Sequence, residues 1–232
     1  MEKAFILKGS TGIKEEKRLN FETSKNLGGV GAILMFIGFI LPAATGGFGL
    51  LLSLVGLILV LIGLKGLADY YNEAGIFNNF LYGTIAGIVG VVVAGLAFVF
   101  AVFTMLSDFL YTIFPTWNGD LSSLSGLTPD ISAIDPFAIM PFLTAFLVIL
   151  VILFFTAIVV AIFMRKSLNT LSAKASIGLF GTTGLMLLIG AVLTIIVIGF
   201  ILIWIAMLIL AIAFFSMRQQ PTQPSMTAET PS

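Results

Sequence analysis

The sequence predicts an all-α polytopic helical membrane bundle with six spans and both termini cytoplasmic, and three observations lead there. Apolar residues make up 59% of the 232-residue chain and charged ones 9%, against roughly 25% charged in an ordinary soluble domain. The apolar runs are continuous and long enough to cross a bilayer as helices, unlike the short alternating segments of a closed barrel. Basic residues gather on alternate links between those runs, as a fixed orientation in a membrane requires.

The formal net charge is zero, so no basic surplus points to nucleic acid. Cysteine and histidine are absent. That excludes disulfides, thiolate or imidazole metal sites, His-ligated haem, and Cys–His or Ser–His–Asp catalysis. Carboxylate, lysine, tyrosine and backbone chemistry remain, and no cofactor is expected.

Residues 1–24 form a polar leader in which Lys3, Lys8, Lys14, Lys17 and Arg18 mix with Glu2, Glu15, Glu16 and Glu22. Its early apolar run, "AFIL", is too short for a signal-peptide core, so the leader is expected to be retained. The mixed signs of "KEEKR" favour a solvated helix or tail over a membrane-surface or partner-binding patch. The membrane domain, 25–217, opens with "LGGVGAILMFIGFIL", a first span at about 25–41 that ends at Pro42. The link "PAATGG", with Gly46 and Gly47, makes a tight helical hairpin with a second span at about 48–66. A third span runs over about 80–106 and a fourth over about 142–164. The connector 107–141 between them holds Pro115, Trp117, Pro129, Pro136 and Pro141 and is rich in Ser, Gly and Asp. The tail 218–232 has too few apolar residues to fold and reads as disordered.

The final apolar run, Ser176 to Met217, is about twice what one crossing needs. Either it folds back, giving spans at about 176–195 and 200–217, or it is one long tilted helix behind an interfacial segment. An internal repeat favours the fold-back. When "LGGVGAILMFIG" is set beside "FGTTGLMLLIGA", Gly28, Gly31 and Gly38 fall on Gly181, Gly184 and Ala191. When "GLILVLIGLKG" is set beside "AMLILAIAFFS", Gly56, Gly63 and Gly66 fall on Ala206, Ala213 and Ser216. The link would then lie near Ile195 to Phe200 and use Gly199.

Six spans put every basic residue on one side: the leader's six (with Lys25), Lys65, Arg165, Lys166, Lys174 and Arg218. The other side carries Asp108, Asp120, Asp130 and Asp135. Basic flanks stay cytoplasmic, so the termini are placed inside and the proline-rich connector outside. A five-span chain would strand Arg218 on the outer side, which makes six the preferred count.

The stretch "KGLADYYNEAGIFNNFLYG", residues 65–83, is the polar exception among the apolar runs. Lys65, Asp69, Tyr70, Tyr71 and Glu73 are its candidate contacts at the cytoplasmic interface. Lys65 snorkels to the headgroups and can pair with Asp69 one helical turn on. Tyr70, Tyr71, Phe77, Phe80 and Tyr82 suit the aromatic belt, while Gly75 fits a helix terminus and Asn78 a helix cap. A membrane-surface turn accounts for all of these features; partner docking and catalysis are the sharper alternatives.

Span three carries Gly83, Gly87, Gly90 and Ala94 on one smooth face, a pattern that lets two helix backbones approach closely. Gly56, Gly63 and Gly66 read the same way. Packing within the chain is the plainer account, and contact with another subunit is the alternative. No span contains an internal Asp, Glu, Lys or Arg, which counts against coupled transport and proton pumping. The hydroxyls of Ser53, Thr104, Thr144, Thr156 and Thr194 are scattered and suited to bonding their own helix backbones. The four outer aspartates match no EF-hand spacing, so no metal site is expected, and Trp117 with Tyr111 and Phe114 marks an outer interface belt.

"KNLGGVGAILMFIGFI", "GLILVLIGLKGLADYYNEAGIFNNFL" and "LIGAVLTIIVIGF…AIAFF" together resemble a family of archaeal integral membrane proteins, domain-of-unknown-function family 996. The resemblance spans about Phe21 to Met217 and is carried best by the lysine-to-"IFNNFL" stretch and the Gly-Gly opening. It implies an archaeal cell membrane and several helical spans, and it supplies no catalytic residues.

The expected function is non-enzymatic: a scaffold or accessory subunit of a membrane complex, partnered by the lipid bilayer and by copies of itself or other subunits. Glycine faces are its expected means of association. A channel or facilitator for a neutral or weakly polar solute is the alternative, and a lipid-acting enzyme using Asp69, Glu73 or Tyr71 is third.

Overall fold

The computed structural model describes residues 2–40, 48–130 and 140–218, with side chains from Asn20 onward. The links 41–47 and 131–139 and the tail from 219, with Pro42, Gly46, Gly47, Asp135 and Pro136, lie outside the described residues. Among the described residues six α-helices carry the fold: α1 (Glu2–Ile40), α2 (Phe48–Tyr70), α3 (Ala74–Ile113), α4 (Met140–Ala175), α5 (Gly178–Leu193) and α6 (Ile198–Phe215). Among the described residues there is no strand. In hydrocarbon a helix satisfies its own backbone polar groups, and each of the six contains a stretch long and apolar enough to cross a membrane. The last apolar run folds back, at a 3-10 turn over Thr194–Ile196.

Each helix packs on its neighbour in sequence, and α6 returns to pack on α1. The six therefore close into a ring. Its centre is filled at the end where α2 meets α3, by Phe21, Leu64, Phe80, Leu168, Phe180 and Phe214, one from each helix. Phe180 and Phe214 meet edge to face at 5.2 Å. On the far side of the ring Trp204 stacks on Phe36 at 4.7 Å, and its indole Nε1 donates to the Phe36 carbonyl at 3.1 Å.

Four helices run past the boundaries read from hydropathy, α2 by four residues and α1, α3 and α4 by more. α3 spans 40 residues and α4 36, because polar residues at a membrane surface end the apolar run without ending the helix. α1 is one continuous helix from Glu2, so leader and first span are a single element. α3 and α4 also outreach α5. Built onto Gly181, a Cβ would contact Ser172, and onto Gly184, Arg165. By that antiparallel register the end of α5 is level with about Thr156. The first half of α4 and the second half of α3 stand clear of the ring, and their large apolar side chains are exposed nearly all round, Phe100 by 72% and Leu147 by 62%.

Candidate functional site at the polar end of the bundle

The stretch 65–83 is nearly all helix. α2 continues to Tyr70, and the reversal takes only Tyr71, Asn72 and Glu73. Asn72 supplies the left-handed residue at φ 53°, a conformation asparagine tolerates better than most residues. The Glu73 N–H closes the turn on the Ala68 carbonyl at 2.8 Å. Asn78 is no cap: α3 begins at Ala74, Glu73 holds the cap position without a side-chain bond, and Gly75 lies in the first turn. Asn79 instead donates to the Gly75 carbonyl at 2.7 Å.

Lys65 and Asp69 pair at 2.9 Å, and the ammonium lies 5.6 Å from the centre of the Phe77 ring. Both partners are more than half exposed, so the pair contributes little to stability. Tyr70 sits between Phe21 at 4.7 Å and Tyr71 at 5.0 Å. Burial, and then the neighbouring Tyr70, push the Tyr71 phenol up to about 12. Tyr71 therefore stays protonated at neutral pH and is poorly suited to proton abstraction.

Long-range ties that no spacing rule exposes hold this end together. Glu73 pairs with Lys174 of α4 at 3.2 Å. Ser167, fully buried, donates its hydroxyl to the Ile76 carbonyl in the first turn of α3. Lys25 pairs with Glu22 at 3.3 Å and donates to the Met217 carbonyl at 3.2 Å, joining the base of α1 to the end of α6. The α4–α5 link repeats the α2–α3 solution, with Ser176 left-handed at φ 56° and Ser172 Oγ donating to the Ile177 carbonyl at 2.9 Å. The described cations Lys25, Lys65 and Lys174 thus stand at one end of the ring. Its carboxylates are committed to cations, and among the described residues no group of three acidic, His or Cys side chains can hold a metal.

The glycine faces are occupied within the chain. A Cβ on Gly31 would come within 2.5 Å of the Gly56 carbonyl, and one on Gly63 within 2.7 Å of the Gly28 nitrogen. On α3, a Cβ at Gly83 would meet Phe163 and Val160, one at Gly87 would meet Val160, and one at Gly90 would run into Thr156; Ala94 is buried beyond them. Gly66 faces Ser24. The second hairpin repeats the first. A Cβ on Gly38 would strike Gly49 and Ser53, and one on Gly190 would strike Gly199 and Ile203, although the internal repeat sets Gly38 beside Ala191, one residue further on. Gly199 permits this approach, while the left-handed residue of the fold-back is Val197 at φ 67°. That is an unfavourable position for a β-branched side chain.

Four of the five span hydroxyls turn inward on their own helices. Thr104 donates to the Phe100 and Ala101 carbonyls, Thr144 to Met140, Thr156 to Ile152 and Thr194 to Ala191, all at 2.7–3.1 Å. An open groove of about 410 Å³ between α3 and α4 is lined by Ala86, Val151, Ile152, Phe155, Thr156 and Val159, and its one hydroxyl, that of Thr156, is so engaged. At the opposite end of α3 the connector has structure of its own. Asp120 accepts from the Ser122 N–H at 2.9 Å and its hydroxyl at 2.7 Å, starting the 3-10 helix Leu121–Gly126. Those two bonds, the hydroxyl's first, hold its carboxyl below the usual carboxylate range. Trp117 is buried, 4.9 Å from Tyr111, with its Nε1 donating to the Asp120 carbonyl at 2.7 Å.

Residues 52–208 match the family described as "Protein of unknown function (DUF996)". The chain is also similar to "Uncharacterized protein MJ1644" of Methanocaldococcus jannaschii, 26% identical over 200 residues, covering 86% of this chain and 94% of that protein. No solved structure matches the chain.

Proposed function

The chain belongs to the DUF996 family, and from that premise we propose that it is a non-enzymatic scaffold or accessory subunit of a complex in the cell membrane, with both termini cytoplasmic. The observation that carries this reading is the outer half of the α3–α4 hairpin. It stands clear of the ring and exposes apolar side chains nearly all round. The glycine faces are spent on the chain's own helices, so association is assigned to this hairpin instead. The orientation rests on the cations gathered at the α2–α3 end, which basic flanks place in the cytoplasm.

The ring centre is packed with phenylalanine and leucine, and the hydroxyls of Thr104, Thr144, Thr156 and Thr194 bond their own backbones. Both features weigh against a solute path and so against the channel alternative. Affinity capture of the full chain from native membranes in a mild detergent tests the proposal. The expected result is co-purification of a stoichiometric membrane partner or a defined oligomer. Recovery of free monomer alone, with no crosslinked species, would overturn it.

A further inference from the structure

The exposed apolar belt of the bundle does not have one height. On α2 it runs from Phe48 to Ile62 and on α6 from Ile198 to Phe215, about 22 to 27 Å at the helical rise per residue. On α3 it runs from Tyr82 to Tyr111 and on α4 from Met140 to Ile162, about 35 to 45 Å. A hydrocarbon core of about 30 Å lies between the two. The α4–α5 register puts the whole difference at the end away from the cations, where α5 stops level with about Thr156.

The α5–α6 tip has the chemistry such a position requires. Ile195, Ile196, Val197 and Ile198 are each more than half exposed, and no charged residue occurs between Lys174 and Arg218. A link facing water ordinarily carries Gly, Asn, Asp or Ser. Here two backbone N–H groups close within the tip: that of Val197 donates to the Thr194 carbonyl at 3.0 Å and that of Phe200 to the Val197 carbonyl at 3.1 Å. The Thr194 hydroxyl donates to Ala191 at 2.7 Å. Backbone at membrane depth favours internal partners, and the left-handed Val197 lets the chain reverse while keeping these three bonds within the tip. Belt height and tip chemistry are independent observations, and both point to lipid.

We propose that the α5–α6 tip ends within the leaflet opposite the basic end, against acyl chains. The bilayer is then thinner beside α5 and α6 than beside α3 and α4. Lipid pays little for such mismatch per ångström, so the protein sits stably across the step, its partner on the thin side being shorter or disordered acyl chains. This inference rests on the membrane placement proposed above, though not on which side is cytoplasmic.

The chain has no cysteine, so single substitutions place one fluorophore each. Ile196→Cys, Ser122→Cys and Ile88→Cys, each carrying an environment-sensitive probe, are reconstituted as purified full chain in dioleoyl phosphatidylcholine vesicles with or without brominated acyl chains. The expected result is several-fold stronger quenching by bromolipid at position 196 than at 122, with aqueous iodide giving the reverse order. Iodide quenching at 196 equal to that at 122, or no quenching there by either agent, would overturn the proposal; Ile195→Cys repeats the measurement should the first variant fail to fold. Iodide reaching position 88 in the middle of α3 would instead refute the membrane placement itself.

Discussion

The α1–α2 and α3–α4 hairpins are both drawn together by glycine, and they end differently. In α1–α2, glycine meets backbone: Gly31 lies on Gly56 and Gly63 on Gly28. The other side of α1 is covered by α6. In α3–α4, Gly87 and Gly90 meet only side chains of α4, Gly83 meets the Val160 carbonyl as well as side chains, and past Ala94 the pair has only itself for company. The difference separates two uses of an apolar helix. One kind completes a core; the other is core for its first few turns and surface for the remainder.

Substitutions at the glycines should break the comparison most sharply. Gly56→Leu drives a side chain into the α1 backbone, which cannot rotate away, and should cost about 3 kcal/mol or abolish folding. Gly90→Leu meets only the Thr156 side chain beside an open groove and should cost about 1–2 kcal/mol. Gly95→Leu, with nothing near its Cβ, should be close to neutral. Thermal unfolding in detergent ranks the three, and equal losses at 56 and 95 would erase the distinction between the hairpins.

Next in size is Trp204→Phe, which keeps the stack on Phe36 and removes the donor to its carbonyl. It should lower stability by about 1 kcal/mol, whereas Phe100→Leu on the free half of α3 should leave unfolding unchanged. Smaller again is Glu73→Gln, which breaks a half-exposed ion pair worth at most a few tenths of a kcal/mol. It should loosen the α2–α3 turn in amide exchange without moving the midpoint. The smallest effect belongs to the connector. Asp120 titrates lower in the folded chain than unfolded, so its contribution is present above the ordinary carboxylate pKa and lost as pH falls through the depressed one. Acidification should therefore shift Trp117 emission, read in a Trp204→Phe background, and Asp120→Asn should remove most of that shift.

Much of this architecture is legible in sequence because hydrocarbon is an intolerant solvent. Six apolar runs free of internal charge follow from desolvation, while the gathering of Lys65, Arg165 and Arg218 away from the connector's aspartates is read from the rule for basic flanks. The fold-back after Leu193 is visible through the spacing of small residues in the two outer hairpins. Helix ends are less legible: Asn78 has the chemistry of a cap, yet the helix begins earlier because the chain turns at Asn72. A smooth glycine face announces close approach without naming its partner, so Gly83 to Gly90 suit another subunit as well as α4 until the register is known. The bonds of Ser167 to Ile76, Lys25 to Met217 and Trp204 to Phe36 join residues far apart in the chain. No local pattern encodes them.

The assignment of the free α3–α4 surface to a protein partner is tested most directly by a photoreactive amino acid at Phe100 in native membranes, with Phe39 of α1 as the comparison. A discrete protein adduct at 100, absent at 39, is the predicted result. Lipid adducts alone at both positions would contradict it.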